Sequence, residues 1–230
     1  MKREELLIEE EELVTIIDDP NLRLFDATVV LNPAAAETGH DRYLAGHIPG
    51  SVFLDHAVIS DPNSHLMYTM PDEKTLGRAI GALGISNDTP VVVYSTDMLA
   101  WATRIWWVLQ YAGHRNVRVL NGGLQAWRGA LEIAENKYVP TSFNTDFSPQ
   151  MFASKEEVLA SITDGSACVV NTLTPEMYKG EADVFYAGHI SGSVNHPFVE
   201  LMAEGSLLPD TTLAENLEQK MIGDRLITYC

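Results

Sequence analysis

Leu226-Ile227-Thr228-Tyr229-Cys230 closes the sequence: an apolar, β-prone run that ends on a cysteine. Val91-Val92-Val93-Tyr94-Ser95 has the same form and ends on a serine. A second match accompanies it. Ala45-Gly46-His47-Ile48 and Gly50-Ser51-Val52 recur as Ala187-Gly188-His189-Ile190 and Gly192-Ser193-Val194, at a constant offset of 142 residues (188 − 46, 194 − 52). Self-similarity of this kind means two copies of one structural unit. Only the second copy ends its strand on a nucleophile.

Outward from these runs, apolar strands alternate with helical patterns. In the first copy, strands are expected over 22–26, 91–94 and 117–120, and helices over 11–18, 71–83, 99–112 and 124–128. The stretch 43–52 reads as a glycine-rich turn. In the second copy, Ser154-Lys155-Glu156-Glu157 fits a capping box opening a helix to about residue 162. A strand over 167–171, a short helix from Thr174-Pro175-Glu176, a helix over 211–221 and a strand over 225–230 follow. Continuous apolar strands with intervening helices imply an α/β fold, mainly parallel sheets with helices on both faces. The expected domains are 1–131 and 153–230. The aperiodic stretch 132–152, with Pro140 and Pro149, is expected to be the linker. When Ser95 is aligned with Cys230, the first copy runs on through helix, strand and Gly122-Gly123 turn to Trp127, and the second has no counterpart. The second domain is therefore expected to be incomplete. Either its stability suffers or a partner, such as another copy of the chain, covers the gap.

The net charge of −17 and pI near 4.6 argue against nucleic acid and anionic membrane surfaces, both of which require clustered lysine and arginine. A small anionic ligand would need a local cradle of oriented donors. The sequence shows no signal-peptide pattern and no run of membrane-spanning length. Two cysteines make no disulfide framework. The expected compartment is reducing, most simply the cytoplasm. No His/Cys spacing suggests a zinc site, and no cofactor or metal is expected.

Three groups of motifs carry a resemblance covering nearly the whole chain. The first is Tyr43-x-x-x-His47-Ile48-Pro49-Gly50. The second is Val91-Val92-Val93-Tyr94, Ala102-x-Arg104-x-Trp106-Trp107-x-Leu109 and Val119-Leu120-Asn121-Gly122-Gly123-Leu124-x-Ala126-Trp127. The third is Glu176-x-Tyr178-x-Gly180-Glu181, Gly188-His189-Ile190 and the strand onto Cys230. Together they resemble the tandem rhodanese family, the thiosulfate and 3-mercaptopyruvate sulfurtransferases. The resemblance implies two rhodanese-like domains. The first would be an inactive copy with Ser95 at the nucleophile position. In the second, Cys230 would take sulfane sulfur from a small anionic donor as a persulfide and pass it to cyanide or a thiol. Met177, where 3-mercaptopyruvate-using members carry arginine, favours thiosulfate. Lys179 is the candidate substrate-binding cation. The loop that cradles the donor in the family follows the cysteine directly. Here only the C-terminal carboxylate follows Cys230, which is expected to raise the thiol pKa. The alternative is a non-catalytic rhodanese-like binding or regulatory module, or an inactive fragment of the enzyme.

His47 and His189 are read as structural. Each sits in a glycine-rich loop and is expected to hydrogen-bond a strand-end side chain, Asp26 in the first copy and Asn171 in the second. Cys168 is read as a small buried hydrophobe, with a Cys168–Cys230 disulfide as a minor alternative. Arg104 is read as a salt-bridge partner between the domains.

Overall fold

The computed structural model describes residues 2–31, 34–183, 187–218 and 225–230. The chain divides into two compact units, Met1–Pro149 and Gln150–Cys230.

The first unit runs α1 (Arg3–Leu6), β1 (Leu7–Ile8), α2 (Glu10–Ile16), β2 (Arg23–Asp26), α3 (Gly39–Ala45), β3 (Val52–Phe53), α4 (Glu73–Ala82), β4 (Val91–Tyr94), α5 (Leu99–Tyr111), β5 (Val117–Leu120) and α6 (Gly123–Ala126). Its strands form one parallel sheet in the order β1-β5-β4-β2-β3. All four residues of β4 are buried, as befits a central parallel strand with both faces covered. Helix α5 buries Leu99, Ala102, Ile105, Val108 and Leu109, the three- and four-residue spacing of one helical face. Helix α4 starts after Asp72, whose side chain accepts the Thr75 N–H. Pro71 therefore lies outside the helix, ahead of its cap.

The stretch read as a turn over 43–52 begins as helix. Thr38 and Asp41 form a reciprocal capping box that opens α3, which carries Tyr43 to Ala45 before the chain turns at Gly46. The small helix expected over 124–128 instead spans Gly123–Ala126, because Gly122 enters it from the left-handed region at φ 80° and Trp127 leaves it extended.

Residues 132–148, read as linker, are laid along the first unit. Glu132 exchanges both backbone hydrogen bonds with His47, at 2.9 Å each. Tyr138 Oη accepts from Leu24 N at 2.9 Å and donates to Gly50 O at 2.8 Å. Thr141 N donates to Gly81 O, Asp146 N to Ala112 O and Ser148 N to Tyr111 O. Glycines allow this approach: a Cβ on Gly81 would lie 2.5 Å from Thr141 O, and one on Gly113 2.6 Å from Asp146 O. The segment lacks periodicity because its backbone groups pair with helix ends and loops rather than with a regular neighbour.

The second unit runs α7 (Lys155–Asp164), β6 (Cys168–Asn171), α8 (Pro175–Lys179), β7 (Val194–Asn195), the hairpin β8 (Met202–Ala203) and β9 (Ser206–Leu207), α9 (Asp210–Glu218) and β10 (Leu226–Tyr229). The expected helix over 211–221 is seen as α9; its last part lies outside the described residues. Ser154 caps α7 by accepting from Glu157 N at 3.1 Å. The reciprocal half of the expected capping box is missing from the bonds of Glu157, whose carboxylate instead takes Arg225 Nε at 2.9 Å. Its sheet is parallel, in the order β10-β6-β7, over a small core of Val169, Val170 and Ile227.

The two sheets share their registers rung for rung. In the first, Arg23 pairs with Val91 and Asp26 with Tyr94; in the second, Cys168 pairs with Leu226 and Asn171 with Tyr229. Phe25 pairs with Val52 as Val170 pairs with Val194. Strands β6, β7 and β10 thus repeat β2, β3 and β4, and Cys230 follows its strand as Ser95 follows β4.

Candidate functional site

In an open parallel sheet, ligand sites form beyond the carboxyl ends of the strands, where the chain order reverses. In the second unit β7 lies on one side of β6 and β10 on the other, so the reversal falls between β6 and β10. Cys230 leaves the carboxyl end of β10 there, as an exposed free thiol. The backbone before it is fixed on the β6 side: Thr172 N and Thr172 Oγ1 both donate to Tyr229 O, at 3.0 and 3.1 Å.

Through its side chain, Tyr229 Oη accepts from Ile190 N at 2.8 Å and shares a hydrogen bond of 3.0 Å with Ser193 Oγ. The first unit holds the same set. Tyr94 Oη accepts from Ile48 N at 3.1 Å and meets Ser51 Oγ at 2.8 Å. Burial and the Asp26 charge push the Tyr94 phenol well above its ordinary range, so its hydroxyl keeps its proton for this contact. A second tyrosine completes each set. Tyr43 Oη donates to Ser51 O at 2.8 Å, and Tyr178 Oη to Ser193 O at 2.5 Å. These six hydroxyls went unassigned in the sequence reading. The signal was present, since a tyrosine precedes both Ser95 and Cys230 and a serine recurs in both glycine-histidine loops.

The two loop histidines take other hydrogen-bond partners than the expected Asp26 and Asn171. His47 Nδ1 meets Tyr43 O at 2.7 Å, and His189 Nδ1 meets Tyr178 O at 2.8 Å. Each ring stacks on the tyrosine whose carbonyl it contacts, with centroids 3.8 Å apart in the first unit and 4.0 Å in the second. Stacking turns Nδ1 back toward that helix end and away from the strand. Asp26 and Asn171 instead hold the backbone two residues on, accepting from Thr28 N at 2.9 Å and Leu173 N at 3.0 Å. Burial raises the Asp26 carboxyl above its usual range despite the two Thr28 hydrogen bonds.

The first unit's site is closed. Ser95 is buried, and its Oγ donates to Met98 O at 2.7 Å. Ser95 O accepts from Leu124 N at 3.1 Å, made possible by Gly123, where a Cβ would lie 2.1 Å from that oxygen. The loop beyond carries Asp97, held by the Arg42 guanidinium and by Gln125 Nε2. A carboxylate in this loop repels the anion such a loop could otherwise cradle.

Lys179 ends α8, exposed, and its charge acts on Glu176 of the same helix. The structure gives it no bond to Cys230. Arg104 has its resolved partners within the first unit: His56 Nδ1 at 3.0 Å, Tyr68 O at 3.0 Å and the Tyr68 ring. Cys168 and Cys230 are both free. Cys168 pairs with Leu226, so the two cysteines sit at opposite ends of neighbouring strands, roughly 13 Å apart at strand rise and too far for a disulfide. Among the described residues, no cluster of three or more His, Cys, Asp or Glu is arranged to hold a metal ion, and no helix is long and apolar enough to cross a membrane.

Comparison with known proteins agrees with this geometry. The family model for the rhodanese-like domain matches residues 9–130. The 3-mercaptopyruvate sulfurtransferase of Escherichia coli strain K12 is 32% identical over 203 residues, 83% of this chain and 70% of that protein. The thiosulfate sulfurtransferase of Bos taurus is 34% identical over 195 residues, 80% of this chain and 65% of the relative. The crystal structure of the 3-mercaptopyruvate sulfurtransferase SseA from Escherichia coli superposes with a TM-score of 0.88 at 30% identity, covering 97% of this chain and 87% of that one. The chain belongs to the rhodanese family, and the relatives it matches are sulfurtransferases.

Proposed function

We propose that the chain moves sulfane sulfur from thiosulfate to a thiophilic acceptor, with Cys230 as the carrier. The observation that supports this most directly is the shared register. It puts Cys230 at the position Ser95 holds in the first unit, at the carboxyl edge of the sheet and exposed. In this reading 153–230 is the catalytic rhodanese-like domain and 1–131 its inactive copy, whose serine hydroxyl is spent on Met98 O.

In the first half-reaction the Cys230 thiolate attacks the outer sulfur of thiosulfate. A new S–S bond forms, the donor's S–S bond breaks, and sulfite leaves with the electron pair. In the second, cyanide or a thiolate attacks the terminal persulfide sulfur and restores the Cys230 thiolate, giving thiocyanate or a new persulfide. The thiolate is the reactive form in the first half. No net oxidation of the protein occurs. Met177 beside Tyr178 leaves the short helix without the guanidinium that would grip a carboxylate, which favours thiosulfate over 3-mercaptopyruvate. Lys179 is the cation that helix carries, in its last turn. A reducing compartment, most simply the cytoplasm, suits a free thiol of this kind.

Sulfite release tests the reading. Without acceptor, the chain is expected to release sulfite from thiosulfate in a stoichiometric burst. Cys230→Ser abolishes the burst and Cys168→Ser leaves it intact. A burst that survives Cys230→Ser, or disappears with Cys168→Ser alone, contradicts the assignment.

A further inference from the structure

The hydroxyl contacts at the end of β10 form a connected path. Helix α8 carries Tyr178, whose ring stacks on His189 and whose hydroxyl holds Ser193 O at 2.5 Å. His189 Nδ1 returns to Tyr178 O at 2.8 Å. Ile190 N and Ser193 Oγ, from the same loop, converge on Tyr229 Oη at 2.8 and 3.0 Å. Tyr229 is bonded covalently to Cys230. From the short helix to the sulfur every link is a hydrogen bond, a ring stack or a peptide bond.

We propose that Tyr229 and Ser193 are positioning residues for sulfur transfer: their hydroxyls pin the end of β10 to the glycine-histidine loop and so fix the Cys230 sulfur relative to α8. This rests on Cys230 being the persulfide carrier. In-line attack on a sulfur–sulfur bond demands that nucleophile, sulfane sulfur and leaving group lie close to one line. A strand tip free to swing loses that alignment without losing its thiol. Thr172 holds the Tyr229 carbonyl from the β6 side. The hydroxyl pair holds the Tyr229 side chain to the loop that leads into β7, and restraints on both the backbone carbonyl and the side chain fix the tip where one leaves a hinge. The first unit supplies a built-in comparison. Tyr94 makes the same bonds to Ile48 N and Ser51 Oγ, but the residue after it is the spent Ser95. There the pair can only stabilise the fold.

The experiment measures persulfide loading of Cys230 by thiosulfate in single turnover, alongside alkylation of Cys230 by iodoacetamide, a small neutral reagent that needs no alignment. Tyr229→Phe is expected to lower the saturating loading rate roughly tenfold, the factor that two modest hydrogen bonds supply. The half-saturating thiosulfate concentration and the alkylation rate should stay within about twofold, since binding and exposure are untouched. Ser193→Ala should lower loading in the same sense, and Ser193→Thr, which keeps the hydroxyl, should restore it. Tyr94→Phe should lower thermal stability and leave loading unchanged. If Tyr229→Phe loads at the wild-type rate, the positioning role is overturned and the carrier reading stands. If loading and alkylation fall together, as they would if the change only lowered the thiolate fraction, the role is likewise overturned. A wild-type chain that takes up no sulfur overturns the carrier reading and this proposal with it.

Discussion

Asp26→Asn should make the first unit more stable at neutral pH. Asp26 is 1% exposed. Its carboxyl is raised above the ordinary range by burial, against opposing hydrogen bonds from Thr28 and Tyr94 and the charge of His47. The sign follows from proton linkage. Between the ordinary carboxylate pKa and the raised one, the native state holds a proton that the unfolded chain has released. Stability therefore falls as pH rises through that window and stays lower above it. An amide removes the buried charge and keeps the acceptor oxygen. The second unit carries an amide at the matching rung: Asn171 sits beside Tyr229 and its Oδ1 accepts from Leu173 N at 3.0 Å as Asp26 accepts from Thr28 N at 2.9 Å, while its Nδ2 is buried without a hydrogen-bond partner among the described residues. Losing the charge weakens the two Thr28 hydrogen bonds by roughly 1 kcal/mol each, and the buried amide N–H without a partner costs about 1 kcal/mol more, while desolvation of a buried carboxylate costs several kcal/mol. Because burial prevails in raising the Asp26 pKa, the net gain should be at most about 1 kcal/mol, or about 2–4 °C for a domain of this size. Denaturant titrations of both proteins near pH 7 and again below about pH 4 measure it, the lower value lying under the ordinary carboxylate range. The gain should be present at neutral pH and vanish in acid, with other titrations common to both proteins cancelling. Destabilisation by Asn at neutral pH, or an equal gain at both pH values, would refute the reasoning.

Burial pushes the His56 imidazole down to about 4, and it sits between Ala27 O and the Arg104 guanidinium as a neutral ring. The unfolded chain takes a proton there first, so this stability is complete above about pH 6.5 and drains away as pH falls toward 4, by at most roughly 3 kcal/mol. His56→Gln should flatten that slope in thermal melts across the window, and an unchanged slope counts against it. Gly81→Ala places a Cβ 2.5 Å from Thr141 O, so it should cost about 1–3 kcal/mol and open 132–148 to limited proteolysis. Wild-type resistance to protease in that variant would show that the segment is not held there.

Much of the fold was legible because its signals are local. The run 91–94 is apolar at every position, and it is a strand with every residue buried. Helix α5 declared itself by apolar spacing and ended within one residue of expectation. The repeated loop led to the matched registers of β2, β3 and β4 with β6, β7 and β10. Segment 132–148 was misjudged because its order comes from distant partners such as His47, Gly81 and Ala112. Sequence periodicity cannot reveal backbone pairing to helix ends and loops. The histidine partners were missed for a related reason. The loop sequence shows a histidine near a strand end, but the ring's direction is set by stacking on Tyr43 or Tyr178. In the site itself, the cysteine position was readable from the repeat, whereas the hydroxyls around Tyr229 became visible only once the loop was folded against the strand.

The most direct test of the account is the mass of the chain after incubation with thiosulfate. A gain of one sulfur atom, mapped to the peptide ending in Cys230 and removed by cyanide with formation of thiocyanate, is the predicted result. An unmodified Cys230, or sulfur found on Cys168 instead, would contradict it.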